Sequence, residues 1–199
     1  MRTAYSLLGI LFLIVFGAAY VFLERAHAPA SEMDVVQETY NNEQSMLTLT
    51  SSAFKNGGSI PSHYTCEGEN VNPDLSISNI PKGTVSLALL VEDPDIPEAV
   101  KVNMGLDIFD HWVVFNIPPE TRSIEAGSRP AGTIGMNSAG QGYTGPCPPD
   151  REHRYFFKLY ALDIMLPLNA SAHKADVAVA MRGHILEQAT LLGVYEKKN

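Results

Sequence analysis

Three short polar strings carry the residue types that bind small charged groups or move protons: Asp93-Pro94-Asp95-Ile96-Pro97, Asp110-His111-Trp112 and His153-Arg154-Tyr155. A Gly- and Pro-rich stretch, Gly142-Tyr143-Thr144-Gly145-Pro146-Cys147-Pro148-Pro149, leads into the third. Imidazoles donate hydrogen bonds to phosphate or carboxylate oxygens, and exposed N–H groups of a glycine loop add more. A carboxylate such as Asp93 orients a histidine or meets a cationic headgroup. Singly, each string also has an ordinary explanation. Asp starts turns and Pro fixes their φ, so the first reads equally as an acidic turn. His111 reads as a capped strand end and Arg154 as a surface ion-pair partner. His63, His173 and His184 have no such neighbours, and no role is assigned to them.

Asp93, His111 and His153 have the chemistry of general acids and bases, but no activated nucleophile accompanies them. Cys147 is the only candidate, and no base stands beside it. Two histidines and a carboxylate also make an acceptable zinc set, yet no HExxH-like spacing supports one. The expectation is a binding site with no catalytic residue, no metal and no cofactor.

Each string sits at the end of a candidate strand. The apolar run Val85–Val91 feeds the first, Trp112–Ile117 follows the second, and Tyr155–Leu162 follows the third. If these strands are antiparallel neighbours in one sheet, the C-terminal end of one meets the N-terminal ends of the others at a single rim. Leu47–Thr50 and Asp74–Ser78 alternate apolar and polar residues as half-buried strands do. Asn56-Gly57-Gly58, Ile80–Gly83 and the long segment Gly127–Pro149 punctuate the runs. The pattern predicts a mostly β domain, an antiparallel β-sandwich, and not alternating βαβ units. A late helix is expected, capped by Asp176 and carrying Val177, Ala180, Met181, His184, Ile185 and Gln188 at three- and four-residue steps. A short strand Leu191–Tyr195 follows it.

The chain has 199 residues, with 14 Lys+Arg against 22 Asp+Glu and a net charge of −8. That balance argues against nonspecific nucleic-acid binding, which needs clustered positive charge. Two cysteines supply neither a Cys₄ zinc site nor a disulfide scaffold. Residues 4–23 carry no charge and, as a helix, would span a bilayer core. Residues 1–28 are therefore read as an N-terminal transmembrane helix serving as an anchor. The alternative is a signal peptide cleaved after Ala26-His27-Ala28, although Pro29 follows that pattern. Residues 29–46 form a polar tether, and 47–199 form the domain. The expected place is membrane-anchored with the domain outside the cytoplasm, or secreted or periplasmic after cleavage. Export would put Cys66 and Cys147 in an oxidising space, where a disulfide between them is expected. The alternative is two separate thiols, with Cys147 lining the pocket as a small apolar group.

Together these residues resemble the phosphatidylethanolamine-binding protein family, in its bacterial and archaeal Raf-kinase-inhibitor-like branch. The resemblance rests on ordered strings: Ile60–Gly68 with Asn72-Pro73, Asp93–Pro97, His111–Pro118, Gly142–Pro149 and His153–Tyr155, then Ala180–His184 and Leu192–Tyr195. It implies a β-sandwich with a small cavity that takes phosphate, acetate or phospholipid-headgroup-like anions. Carried over position by position, the wall is Asp93, Asp95, His111, Tyr143, Cys147, Pro149, His153 and Tyr155. Two departures stand out: Ile96 where the commoner form has Ala, and Asp150-Arg151-Glu152 where many members carry glycine. The stretch Glu98–Asp110 is read as a lid or a surface excursion. The function expected is binding of a small anion or phospholipid headgroup; the alternative is a regulator that inhibits a kinase or protease by contact.

Overall fold

In the computed structural model, residues 46–198 are described, so the expected anchor and nearly all of the tether lie outside them. Among the described residues no helix is long and apolar enough to cross a membrane.

The strands are β1 (Thr48–Thr50), β2 (Gly58–Ser59), β3 (Leu75–Ser78), β4 (Ser86–Asp93), β5 (Phe109–Ile117), β6 (Ser123–Ile124), β7 (Thr133–Ile134), β8 (His153–Leu162) and β9 (Ile185–Tyr195). Two helices, α1 (Glu98–Met104) and α2 (Lys174–Ala180), interrupt the series. The larger sheet has the order β2-β9-β8-β4-β5-β7 and the smaller β1-β3-β6.

β4 lies inside the larger sheet, and every one of its residues is buried. Leu87, Leu89 and Val91 join a core with Leu49, Leu75 and Ile77 of the smaller sheet. Ala88 and Leu90 join a second core with Val113, Phe115, Val177 and Met181. A strand covered on both faces has no solvent side to carry polar residues, which explains the unbroken apolar run. β8 alternates instead: Tyr155, Phe157, Leu159 and Ala161 form one inward row, with Phe156, Lys158 and Tyr160 half-buried between them.

The structure departs from expectation in three places. One pairing is parallel: β2 runs alongside β9, with Gly58 opposite Gly193. The late helix is short. Asp176 is its third residue, not its cap, and its carboxylate accepts the His173 N–H at 2.9 Å. Gly183 then takes φ +79, a left-handed conformation that ends helices. Ile185 and Gln188 accordingly belong to β9, which pairs with β8 from Ile185 to Tyr195. Finally, the excursion after Pro97 contains α1, ended by Gly105 at φ 66.

Candidate functional site

The rim is built by strand register. Asp93 at the end of β4 stands opposite Phe109 of β5, and Glu92 stands between Asp110 of β5 and Phe156 of β8. The end of β4 therefore meets the starts of both neighbours. A cavity of about 220 Å³ opens there, lined by Asp93, His111 and His153. Ile96, Pro97, Val100 and Phe109 add apolar wall, and Thr144, Gly145 and Cys147–Pro149 bring the loop.

His153 is fully buried, and both its ring nitrogens face carboxylates: Nδ1 lies 2.7 Å from Asp93 Oδ2 and Nε2 lies 2.9 Å from Asp150 Oδ1. Ionised carboxylates only accept, so both contacts are hydrogen bonds together only when the ring carries both protons. The other oxygen of Asp93 accepts the Asp95 N–H at 2.7 Å, closing the turn that starts the acidic string. His111 Nδ1 lies 2.6 Å from the Thr144 carbonyl, so this nitrogen carries the proton and Nε2 presents a lone pair. Burial pushes the His111 ring below the usual histidine range, which keeps it neutral at pH 7. Its ring meets Tyr155 edge-on, with centroids 5.1 Å apart.

The loop owes its position to the segment around Cys66. The Thr144 N–H donates to the His111 carbonyl at 2.9 Å and the Gly145 N–H to Asn70 Oδ1 at 2.7 Å. The Cys66 N–H donates to the Pro146 carbonyl at 3.1 Å, and Cys66 is disulfide-bonded to Cys147 with Cα atoms 5.4 Å apart. Only glycine fits at 145: a Cβ there would lie 2.5 Å from the Tyr64 carbonyl oxygen. Asn137 organises the loop from within. Buried, it donates to the carbonyls of His111 at 3.1 Å and Gly142 at 2.7 Å, and accepts the N–H groups of Ala139 and Gly140.

Of the expected wall, Asp93, His111, Cys147, Pro149 and His153 line the cavity. Asp95, Tyr143 and Tyr155 are not among its lining residues. Asp95 instead receives the Arg154 backbone N–H and both arms of its guanidinium, at 2.7–3.0 Å, and these bonds hold its carboxyl below the usual range. The Tyr143 hydroxyl donates to the Tyr64 carbonyl at 3.1 Å, and its ring packs against Trp112. The Tyr155 hydroxyl is buried without a hydrogen-bond partner among the described residues. Burial raises both phenols. Asp110 also turns elsewhere, pairing with Lys174 at 2.5 Å. Sequence reasoning did not single out Asn137, Phe109 or Asn70. Asn137 sits among the glycines of the long loop, where a side chain able to satisfy several backbone groups is the available signal. No group of three or more His, Cys, Asp or Glu among the described residues is arranged to hold a metal ion.

Comparison with known proteins agrees with this architecture. Residues 50–196 match the family model for phosphatidylethanolamine-binding protein. A UPF0098 protein of Methanothermobacter thermautotrophicus is 47% identical over 158 residues, covering 76% of this chain and 99% of that protein. One from Chlamydia muridarum is 46% identical over 152 residues, covering 76% and 99%. Among solved structures, CT736 of Chlamydia trachomatis, described as a phosphatidylethanolamine-binding protein homolog, superposes with a TM-score of 0.73 at 41% identity, covering 77% of this chain and 99% of that one. YbcL of E. coli, described as a member of the mammalian family, gives 0.69 at 30% identity, covering 77% and 100%. With the family model spanning the sandwich from the last residue of β1 to the end of β9, and with relatives matched over nearly their whole length, the chain belongs to the phosphatidylethanolamine-binding protein family.

Proposed function

We propose that the rim cavity binds a small anion, a phosphate monoester or a carboxylate, and that the protein acts as a binding module and not as an enzyme. The observation that carries this reading is the pair of imidazoles on one small cavity, His153 backed by Asp93 and His111 backed by Thr144. A protonated His153 supplies positive charge to an anion. The bare Nε2 of a neutral His111 accepts a proton-bearing oxygen, such as the P–O–H of a monoester monoanion. At about 220 Å³ the cavity is smaller than the ~300–1,000 Å³ of sites for drug-sized ligands, so it suits a headgroup and not acyl chains. Family membership supports a small ligand. The apolar run 4–23 supports an anchored domain outside the cytoplasm, with signal cleavage as the variant of that placement. The Cys66–Cys147 bond is in keeping with such a space.

Calorimetry of the purified protein with inorganic phosphate, phosphoethanolamine and glycerophosphoethanolamine tests the reading. The monoester is expected to bind more tightly than the diester, which has no P–O–H. His111→Ala is expected to lower monoester affinity about tenfold, the worth of one hydrogen bond to a charged group. Equal affinity of variant and wild type for the monoester would sink the assignment.

A further inference from the structure

We propose that Asp150, next in the chain to the wall residue Pro149, is a built-in competitor for the pocket: its carboxylate holds the hydrogen-bonding position at Nε2 of the wall residue His153, and an anion takes that position only by displacing it. The inference rests on the reading of the cavity as an anion site.

Neither imidazole offers the cavity a free N–H group. Nδ1 of His153 is committed to the buried Asp93 carboxylate, leaving Nε2 as the only nitrogen that ring offers a ligand. Nε2 is engaged by Asp150 at 2.9 Å. The second imidazole cannot replace it as a donor, because the single proton of neutral His111 is spent on the Thr144 carbonyl. The loop amides of Thr144 and Gly145, both on the cavity wall, are likewise spent, on the His111 carbonyl and on Asn70. The imidazole donor that can be released is thus the one Asp150 holds.

Asp150 is suited to letting go. Among the described residues its carboxylate is held only by His153 and by the neighbouring Arg151, which donates to Oδ2 at 2.6 Å. Both Asp150 and Arg151 are exposed, so water replaces the lost contacts when the side chain turns outward. The His153 hydrogen bond holds the Asp150 carboxyl below the usual carboxylate range, so it stays ionised at neutral pH. Chemically the occupant is a tethered acetate, three residues along the chain from the ring it caps. Tethering gives it a high effective concentration. A ligand must therefore be a stronger acceptor, or more abundant, than a free monocarboxylate at low concentration. The tethered carboxylate therefore raises, by one common factor, the concentration at which any anion, phosphate ester or carboxylate, occupies the site.

Full-length protein in detergent is titrated with sodium phosphate and with sodium acetate, as wild type, Asp150→Asn, Asp150→Ala and His111→Ala. Asp150→Ala is expected to tighten both probes about tenfold, the worth of one charge-assisted hydrogen bond. Asp150→Asn, which keeps a neutral acceptor, is expected to fall between. Binding seen only in the Asp150 variants supports the proposal as well. Unchanged or weaker binding by Asp150→Ala, with wild type binding and His111→Ala defective, overturns the role of Asp150 and leaves the anion site standing. No binding of either probe by wild type or Asp150 variants overturns both. In wild-type protein, the ¹³C carboxyl resonance of Asp150 and the ¹⁵N resonance of His153 Nε2 are expected to move together as phosphate is added. A stationary Asp150 resonance at saturation overturns the displacement, whether or not the variants fold.

Discussion

Asp93 and Asp150 hold the same ring from two sides, and their surroundings predict opposite consequences of removing them. Asp93 is buried, orients His153 and closes the turn at Asp95, so its loss leaves a buried ring nitrogen and an amide without partners. Asp93→Ala is expected to cost about 3 kcal/mol in urea unfolding, in the range for breaking a buried pair by deleting one partner. Asp150→Ala removes a solvent-exposed side chain and is expected to lower the urea midpoint by much less than Asp93→Ala does. Similar losses for the two would contradict this reading of the site. His111 gives a second residue-scale test. Its folded-state pKa lies below the unfolded value of 6.5, so the unfolded chain takes up the proton first as pH falls. The stability contributed by the neutral ring is complete well above pH 6.5 and drains away below it, by up to about 1.4 kcal/mol per pH unit. Unfolding free energies between pH 7.5 and 5.5 are expected to show a shallower slope in His111→Gln than in wild type. Asp93, His111 and His153 were legible in the sequence because each adjoins a recognisable strand end. Asn137 was not, and Asp150 stood out only as a departure from the family pattern with no partner assigned, because loop side chains find their partners through tertiary contacts that no local pattern encodes.

The elements divide in the same way. β4, β5 and β8 announced themselves as long apolar or alternating runs, and their antiparallel order follows from the register that brings Asp93 and His153 together. The reading of a helix out to Gln188 failed because apolar residues at three- and four-residue steps recur by chance across a break. Gly183 in the left-handed region ends the turn, and pairing with β8 then overrides the helical period of Ile185 and Gln188. The short parallel contact of β2 with β9 had no signal of its own, since two residues carry no periodicity. α1 is the exceptional element. It has no buried residue, spans seven positions and leaves Val102 and Met104 exposed, yet Val100 contributes to the cavity wall. An isolated helix this short is unstable in water. Its amides are therefore expected to exchange with solvent orders of magnitude faster than those of Leu87–Val91, whose opening approaches global unfolding. Protection of Glu98–Met104 equal to that of β4 would show that α1 is a fixed wall and not a mobile edge of the pocket.

At the scale of the whole molecule, the site depends on two loops far apart in sequence. Cys66 and Cys147 are separated by 81 residues, and their bond ties the segment after Ser62–Tyr64 to the loop on the cavity wall. Constraining an unfolded chain over such a loop stabilises the fold by about 4 kcal/mol in the chain-entropy model. Domains of this size have only about 5–15 kcal/mol of net stability, so the bond is a substantial share of the total. It is not the only fastening. The Cys66 N–H still meets the Pro146 carbonyl, the Gly145 N–H still meets Asn70, and the Tyr143 hydroxyl still meets the Tyr64 carbonyl without it. Stability and site geometry are thus expected to separate on reduction. With reductant, the urea midpoint should fall, and the dependence on urea should steepen because the unlinked unfolded chain exposes more surface. Phosphate affinity at low urea should change less than tenfold, since the hydrogen bonds that place Thr144 and Gly145 survive. The Cys66→Ala, Cys147→Ala double variant should behave as the reduced protein does and respond no further to reductant. An unchanged midpoint would mean that the bond adds nothing to folding. A collapse of phosphate binding in folded, reduced protein would mean that the disulfide, and not the hydrogen-bonded loop, holds the pocket open.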